Sequence, residues 1–297
     1  MTAPHARLSL NQATIKYATL PEALRVSADA GITSIGLWRD SVQAVSLPAA
    51  AQPLTDSGLR LSTPRRRGLV PAPGGGARRA ARADTRRAIE ETARLAAAGA
   101  DGSAAVLVMV AGGLPEGSRD IRGARALVED ALAELAPEAE AAGVQLALEP
   151  LHPMYAADRA VISTLQQALD LAAPFPAATV GVGVDTFHVW WDPQLTEQIA
   201  RAGAEHRIAS YQVCDWATPL TEDGLLSRHY PGDGVIDFAA ITSAVQAAGY
   251  TGDIEVEIFN QAIWDTAPDQ AVARTIEGFE NTVGVQLRRT GQDTRPE

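Results

Sequence analysis

Cysteine, lysine and long apolar runs are scarce in this chain of 297 residues, and each scarcity excludes a class of protein. The single cysteine, Cys214, cannot form an internal disulfide, which is typical of a reducing compartment. The longest apolar segments, such as Ala104–Ala111, fall far short of the ~20 residues that span a bilayer. No apolar run at the N-terminus is typical of a signal peptide. We therefore expect a cytoplasmic protein that does not enter the membrane.

Lysine is almost absent, since Lys16 is the only lysine among the 25 basic residues. A Schiff-base enzyme requires a lysine, so a lysine aldolase is disfavoured. The net charge of −11 argues against a protein that binds nucleic acid, because such proteins present a basic face to the phosphates. With 46% hydrophobic residues, the composition is that of an ordinary globular protein.

Short apolar runs alternate with alanine-rich helical patterns along the chain. Glycine follows predicted helix ends at Gly31, Gly143 and Gly249, where the left-handed conformation that ends a helix favours it. Eight strand–helix units are what a closed α/β barrel, the (β/α)₈ TIM barrel, requires. We predict one barrel domain over residues 1–287 and a disordered tail over 288–297, with an open doubly wound sheet as the alternative. The eight predicted strands cover residues 8–15, 34–38, 59–62, 104–110, 144–149, 180–185, 208–214 and 254–259.

Two long connections, at 64–77 and 215–237, follow predicted strands. In a barrel both lie at the C-terminal face, where barrel enzymes build their active sites. The first contains Arg65, Arg66 and Arg67, followed by glycines at 74–76. It is either a lid that binds an anionic ligand or a solvated flexible loop.

Rare polar residues stand at the ends of consecutive predicted strands. Glu149 ends the fifth strand and Asp185 the sixth, Gln212 and Asp215 belong to the seventh, and Glu257 belongs to the eighth. Because the ends of parallel barrel strands converge, these side chains would meet above the barrel. Three carboxylates and an amide oxygen suit one divalent ion, with Mn²⁺ or Mg²⁺ favoured over Zn²⁺, which prefers histidine and cysteine. Taken singly, each carboxylate equally fits a cap or a salt bridge.

Histidines and tryptophans also cluster after strand ends. His152, His188 and His229 are three of the five histidines, and each follows a predicted strand or its loop. Trp216 lies beside the predicted site loops, as do residues 190 and 191, which are also tryptophans. These rings would provide either core packing or a stacking wall for a sugar, and Trp216 is the candidate substrate-binding residue.

Three motifs resemble those of the xylose isomerase-like TIM barrels, which include sugar-phosphate isomerases and epimerases, ketose 3-epimerases, inosose dehydratases and apurinic-site endonucleases. They are D-T-F-H at 185–188, P-G-D-G-V-I-D-F at 231–238 and G-Y-T-G-D-I-E-V-E at 249–257, and the resemblance extends over nearly the whole chain. The family's metal ligands are a glutamate on strand five, an aspartate on strand six, usually a histidine on strand seven, and a glutamate on strand eight. The resemblance implies the metal ligands Glu149, Asp185, Gln212 and Glu257, and the substrate-binding residues His188 and Arg228.

Gln212 departs from the family pattern H-x-x-[DE], which here is Q-V-C-D. An amide oxygen is neutral, like imidazole, but should bind metal less tightly and favour harder ions. The change puts zinc in doubt and weighs against the endonuclease branch, whose trinuclear zinc site needs more histidines. The segment E-P-L-H-P, which contains His152, resembles the larger subunit of bacterial C-glycoside deglycosidases. That larger subunit works with a small β-rich partner.

The resemblance implies a metal-dependent enzyme that enolises a keto-sugar or sugar derivative by removing the proton α to its carbonyl. We expect a sugar or sugar-phosphate isomerase or epimerase in which Glu149, Glu257 or His152 is the base. Two alternatives stay open: a C-glycoside deglycosidase subunit, a lyase that cleaves 3-keto-C-glucosides, and a sugar-binding barrel without catalysis. The expected partners are a small sugar substrate and either a second copy of the chain or the small β-rich subunit.

Overall fold

A closed barrel of eight parallel strands forms the centre of the molecule. The structure, a computed structural model, describes residues 3–66 and 75–289. The barrel strands are β1 (Leu8–Asn11), β2 (Ser34–Trp38), β3 (Arg60–Arg66), β4 (Val106–Val110), β5 (Gln145–Glu149), β6 (Val180–Asp185), β7 (Ile208–Val213) and β10 (Ile254–Val256). Their order is β1-β10-β7-β6-β5-β4-β3-β2, and an antiparallel hairpin of β8 (Asp215–Trp216) and β9 (Arg228–His229) precedes β10 in the chain. The predicted (β/α)₈ barrel is confirmed.

Helices connect the strands and pack around the barrel. They are α1 (Leu20–Asp29), α2 (Arg39–Val45), α3 (Leu47–Ser57), α4 (Gly75–Ala98), α5 (Ile121–Ala141), α6 (Leu165–Ala172), α7 (Thr186–Val189), α8 (Leu195–Ala204), α9 (Phe238–Ala247), α10 (Gln261–Trp264), α11 (Pro268–Phe279) and α12 (Val285–Arg289). A π-helical turn, Glu280–Gly284, joins the last two. Within the part of the chain described, no helix is long and apolar enough to cross a membrane.

Several element boundaries differ from those the sequence predicts, and three of them lie at the end of the first strand and at the two ends of the predicted 64–77 loop. The first strand ends at Asn11 because the Asn11 side chain accepts a hydrogen bond from the backbone N–H of Ala13, which begins a 3₁₀ turn. The third strand continues to Arg66 and α4 begins at Gly75, so the predicted 64–77 loop is shortened from both ends. The remainder of that loop, 67–74, lies outside the described residues, so the arginine lid stays a prediction.

The predicted tail is also shortened, because α12 includes Arg288 and Arg289. Arginines near a helix C-terminus interact favourably with the helix dipole, and the Arg288 guanidinium additionally donates to the Glu280 carboxylate at 2.6 Å. The rest of the predicted tail, 290–297, lies outside the described residues.

Glu255 is a carboxylate buried inside the barrel. It accepts hydrogen bonds from Asn11 Nδ2 at 2.7 Å, Ser62 Oγ at 2.5 Å and Thr63 Oγ1 at 2.7 Å. These donors compensate for the removal of the carboxylate from water. Gly36 on β2 lies directly against Glu255, and a Cβ at that position would overlap its carboxylate. The barrel therefore needs glycine at this point of β2.

We expect the Gly36→Ala variant to lose about 1–3 kcal/mol of unfolding free energy, the usual cost of overpacking a rigid interior. Gly183→Ala is the matched control on β6, since its added Cβ would lie 3.7 Å from the Glu149 Cβ, an ordinary contact. Urea denaturation followed by tryptophan fluorescence measures both. Equal loss of stability in the two variants would contradict this account of Gly36.

Candidate active site

Three buried carboxylates lie at the C-terminal end of the barrel. Glu149 ends β5, Asp185 ends β6 and Glu257 directly follows β10, and each is at most 2% exposed. Gln212 on β7 is fully buried and is the register partner of Asp185, so its side chain lies on the same face of the sheet. The structure therefore brings the four predicted metal ligands to one end of the barrel.

A buried arginine holds two of these carboxylates together. Arg228, on the β8–β9 hairpin, donates from Nη1 to Asp185 Oδ2 at 3.1 Å and to Glu257 Oε2 at 3.0 Å. Burial by itself would lower the pKa of Arg228, but the charges of Asp185 and Glu257 raise that pKa above its ordinary value. The guanidinium is thus a permanent positive charge inside the cluster.

His188, on the short helix α7, lies against the same arginine. The backbone N–H of His152 donates to His188 Nδ1 at 3.3 Å, and Arg228 Nη2 lies 2.9 Å from His188 Nε2. The Nε2 atom is also 3.9 Å from Asp185 Oδ2. Contacts at both ring nitrogens therefore orient the imidazole with its Nε2 edge toward Arg228 and Asp185.

Asp215 positions the hairpin that carries Arg228. Its carboxylate accepts four backbone N–H hydrogen bonds at 2.8–3.0 Å, which compensate for its burial. Asp215 itself is paired with His229, next to Arg228, across the hairpin. Its role is therefore to fold the P-G-D-G-V-I segment onto the hairpin, a role that spacing alone does not reveal. The four donors belong to Trp216, Gly232, Gly234 and Ile236.

Donor atoms of Glu149, Asp185 and His188 all lie within 4.8 Å of one another, close enough to share one metal ion. This set keeps two of the predicted ligands and adds His188. The donors fit a divalent metal, because two carboxylates and an imidazole are ordinary ligands for such ions. They do not by themselves select Mn²⁺ or Mg²⁺ over Zn²⁺. Arg228 already lies between Asp185 and Glu257, so an ion held by both of these residues would have to replace the guanidinium.

A cavity of about 500 Å³, here called the inner cavity, is lined by Glu149, His188 and Arg228. Its volume is within the roughly 300–1,000 Å³ of pockets that bind small molecules. Trp38 and Phe259 also line it, with ring centroids 5.4 Å apart in an edge-on arrangement. Apolar rings beside buried polar groups suit a sugar, whose ring has apolar faces and polar edges. Sequence reasoning missed both aromatics, although Trp38 ends β2 and Phe259 follows β10.

The structure places His152 and Trp216 together in an aromatic cluster beside α7. The Trp216 ring centroid is 5.0 Å from that of His152 and 4.7 Å from that of Phe187, on which it stacks. Neither His152 nor Trp216 is among the described residues that line the inner cavity. His152 contacts the site through its backbone N–H, which donates to His188. A catalytic His152 side chain and a substrate-binding Trp216 stay predictions.

Burial lowers the pKa of His152 below its ordinary value of 6.5. Below pH 6.5 the His152 imidazole is therefore protonated more readily in the unfolded chain than in the folded protein. The stability that neutral His152 contributes is present above pH 6.5 and is lost as the pH falls toward the lower folded-state pKa. We expect an NMR titration to place this ring below 6.5, and His152→Asn to flatten the pH dependence of unfolding. A ring that titrates at or above 6.5 would contradict the prediction.

Comparison with known proteins identifies the family of this chain and several of its relatives. The chain matches the xylose isomerase-like TIM barrel family over residues 24–282. The solved structure of protein SMc04130 from Sinorhizobium meliloti 1021 is 44% identical with a TM-score of 0.87, and the match covers 93% of this chain and 98% of that one.

Two curated relatives carry named activities. Inosose isomerase from Bacillus subtilis (strain 168) is 30% identical over 150 residues, which are 48% of this chain and 50% of that protein. L-ribulose 3-epimerase from Mesorhizobium japonicum is 31% identical over 135 residues, which are 46% of this chain and 41% of that protein. The chain thus spans about half the length, or less, of these relatives.

Proposed function

The chain belongs to the xylose isomerase-like TIM barrel family, and from this we propose that it is an isomerase or epimerase of a keto-sugar or sugar derivative. The observation that carries the proposal is the buried cluster of Glu149, Asp185, Glu257, His188 and Arg228 beside a cavity of sugar size. An isomerase and an epimerase among the relatives support it.

Glu149 is the best-placed base. It lines the inner cavity and is 2% exposed, so a substrate carbon above it would meet a carboxylate shielded from water. Glu257 is the second carboxylate of the pair, although Arg228 donates to it. Neutral His152 is the alternative base. Removal of the proton α to the carbonyl leaves an enediolate in which the carbonyl oxygen gains negative charge.

Arg228 and His188 are positioned to stabilise that negative charge. Both line the inner cavity, and both present N–H groups or ring nitrogens that are already fixed by other contacts. Fixed donors in a buried site stabilise developing charge strongly, because they need no reorganisation during the reaction. Return of the proton to the opposite face of the same carbon gives an epimer, and its return to the neighbouring carbon gives an isomer.

A divalent metal would be held by Glu149 and Asp185, together with His188 or with Gln212 and Glu257. When bound, it would polarise the substrate carbonyl as a Lewis acid. Assignment of the ion as Mn²⁺ or Mg²⁺ stays a prediction, as do self-association and a β-rich partner subunit.

We expect Glu149→Gln to slow exchange of the substrate α-proton by roughly 10²–10⁴-fold, the usual contribution of a general base. Deuterium uptake from D₂O by a panel of keto-sugars, followed by NMR, measures the rate. Glu140→Gln, an exposed glutamate on α5, is the matched control and should leave exchange unchanged. Exchange at the wild-type rate in Glu149→Gln would remove Glu149 from this role. No exchange by the wild type with any keto-sugar would favour the non-catalytic barrel.

The metal content of variants should distinguish between the two possible ligand sets. Elemental analysis after loading with Mn²⁺, Mg²⁺ or Zn²⁺ should find about one ion per chain and none in Asp185→Asn, because both sets contain Asp185. If His188 is a ligand, His188→Asn loses the ion, and if Gln212 is a ligand, Gln212→Leu loses it. Arg228→Met should bind the ion more tightly, since the guanidinium no longer competes for Asp185. Retention of the ion by Asp185→Asn would contradict both sets.

A further inference from the structure

Three hydrogen-bonded side chains connect the interior of the barrel to the wall of the inner cavity. Glu255 Oε1 accepts from Asn11 Nδ2 at 2.7 Å, and Asn11 Oδ1 accepts from Trp38 Nε1 at 2.8 Å. Asn11 is 0% and Glu255 1% exposed, so bulk water is excluded from the bond between them. Trp38 lines the inner cavity, whereas neither Asn11 nor Glu255 is among the described residues that line it. A change at Glu255 can therefore reach the cavity through Trp38.

The orientation of the Asn11 amide is determined by the groups around it. On one side the backbone N–H of Ala13 and the indole N–H of Trp38, both donors, point at Oδ1 from 2.8 Å. On the other side the Glu255 carboxylate is an acceptor, so it needs the NH₂ group of the amide. A flipped amide would place donor against donor and acceptor against acceptor. The Glu255 carboxylate therefore holds the Asn11 oxygen toward Trp38.

Glu255 is itself held by its other carboxylate oxygen. Ser62 Oγ and Thr63 Oγ1 donate to Oε2 at 2.5 and 2.7 Å, and Ser9 Oγ donates to Ser62 Oγ at 2.8 Å. A charged acceptor holds its donors more strongly than a neutral one, and hydrogen bonds in a buried chain polarise one another. Negative charge on Glu255 therefore makes Asn11 Oδ1 a stronger acceptor for the Trp38 indole.

Strand β2 places Trp38 on the same side of the sheet as this carboxylate. Gly36 and Trp38 are two residues apart on β2, so they face the same side, and Gly36 lies directly against Glu255. The Trp38 ring in turn lies edge-on to Phe259, with centroids 5.4 Å apart, and both rings line the inner cavity. A movement of the indole therefore changes the apolar wall against which a sugar ring would lie.

We propose that Glu255 is a positioning residue of the candidate active site. Through Asn11 it fixes the Trp38 ring, and the fixed ring sets the affinity of the inner cavity for a sugar. The effect on sugar affinity rests on the proposed function, whereas the effect of Glu255 on the Trp38 indole requires no substrate. An indole is a hydrogen-bond donor only and takes no part in proton transfer, so Glu255 contributes to substrate binding and not to the chemical step.

NMR of protein labelled with ¹⁵N at the tryptophan indoles tests the proposal without a substrate. Of the five tryptophan indole N–H signals, the one that Trp38→Phe removes belongs to Trp38. Glu255→Gln keeps the volume and removes the charge, so the Trp38 signal should move upfield as its hydrogen bond weakens. In an Asn11→Ala background, which interrupts the chain, Glu255→Gln should cause no further movement. If Asn11→Ala does not fold, the signal in Glu255→Gln decides by itself.

Steady-state kinetics measures the consequence for binding. The probe is whichever of D-fructose, D-tagatose and L-ribulose exchanges its α-proton fastest with the wild type. Glu255→Gln should raise KM by roughly two- to tenfold, the value of one weakened hydrogen bond, and leave kcat nearly unchanged. A variant that only unfolds more easily would instead lose activity without this separation of KM from kcat.

Asp253→Asn is the matched control. It also removes a carboxylate at the barrel, one that pairs with Arg60 at 2.9 Å, and it should lower stability without moving the Trp38 signal or KM. An unmoved Trp38 signal in Glu255→Gln, an equal movement in Asp253→Asn, or a wild-type KM in Glu255→Gln would overturn the proposal. Absence of exchange with all three probes would contradict the proposed function alone, because the indole signal still decides whether Glu255 positions Trp38.

Discussion

The ion pairs between Arg228 and the carboxylates of Asp185 and Glu257 are the interaction on which the candidate site depends. Acids buried this closely would repel each other and resist ionisation without a nearby positive charge. The guanidinium Nη1, 3.1 and 3.0 Å from the two carboxylates, supplies that charge. Arg228 lies on a hairpin outside the barrel, so Asp215, which folds the following segment onto this hairpin, contributes to the site without contacting a substrate.

Polar and apolar groups share the wall of the inner cavity. Glu149, His188 and Arg228 line it, so a reaction that creates negative charge there can be stabilised. Trp38 and Phe259 line the same cavity, so their orientation affects how a substrate lies against these polar groups. Asn11 anchors the Trp38 indole and also donates to Glu255, which connects the cavity wall to the polar interior of the barrel.

Local patterns and the family resemblance together predicted the barrel, and local patterns located the strand-end acids. The runs at 34–38 and 180–185 coincide with β2 and β6, since buried parallel strands are continuous apolar segments bounded by turn residues. The pattern failed at Asn11, where a side-chain hydrogen bond ends the strand inside an apolar run. It gave no sign of the β8–β9 hairpin, whose strands have two residues each. It also did not reveal that the Trp216 ring stacks on Phe187, and a substrate-binding role of Trp216 stays a prediction.

The sequence by itself determined the number of barrel strands, the acids at their ends and the family, because each of these is carried by short segments of adjacent residues. Only the tertiary structure decided which groups meet. Arg228 reaches Asp185 across 43 residues of chain, and Asn11 reaches Glu255 across 244. The hydrophobic periodicity of the sequence does not predict such contacts, because they depend on how the barrel closes and on the path of its loops. The inner cavity is decided in the same way, since its wall combines residues from β2, β4, β5, α7 and β9.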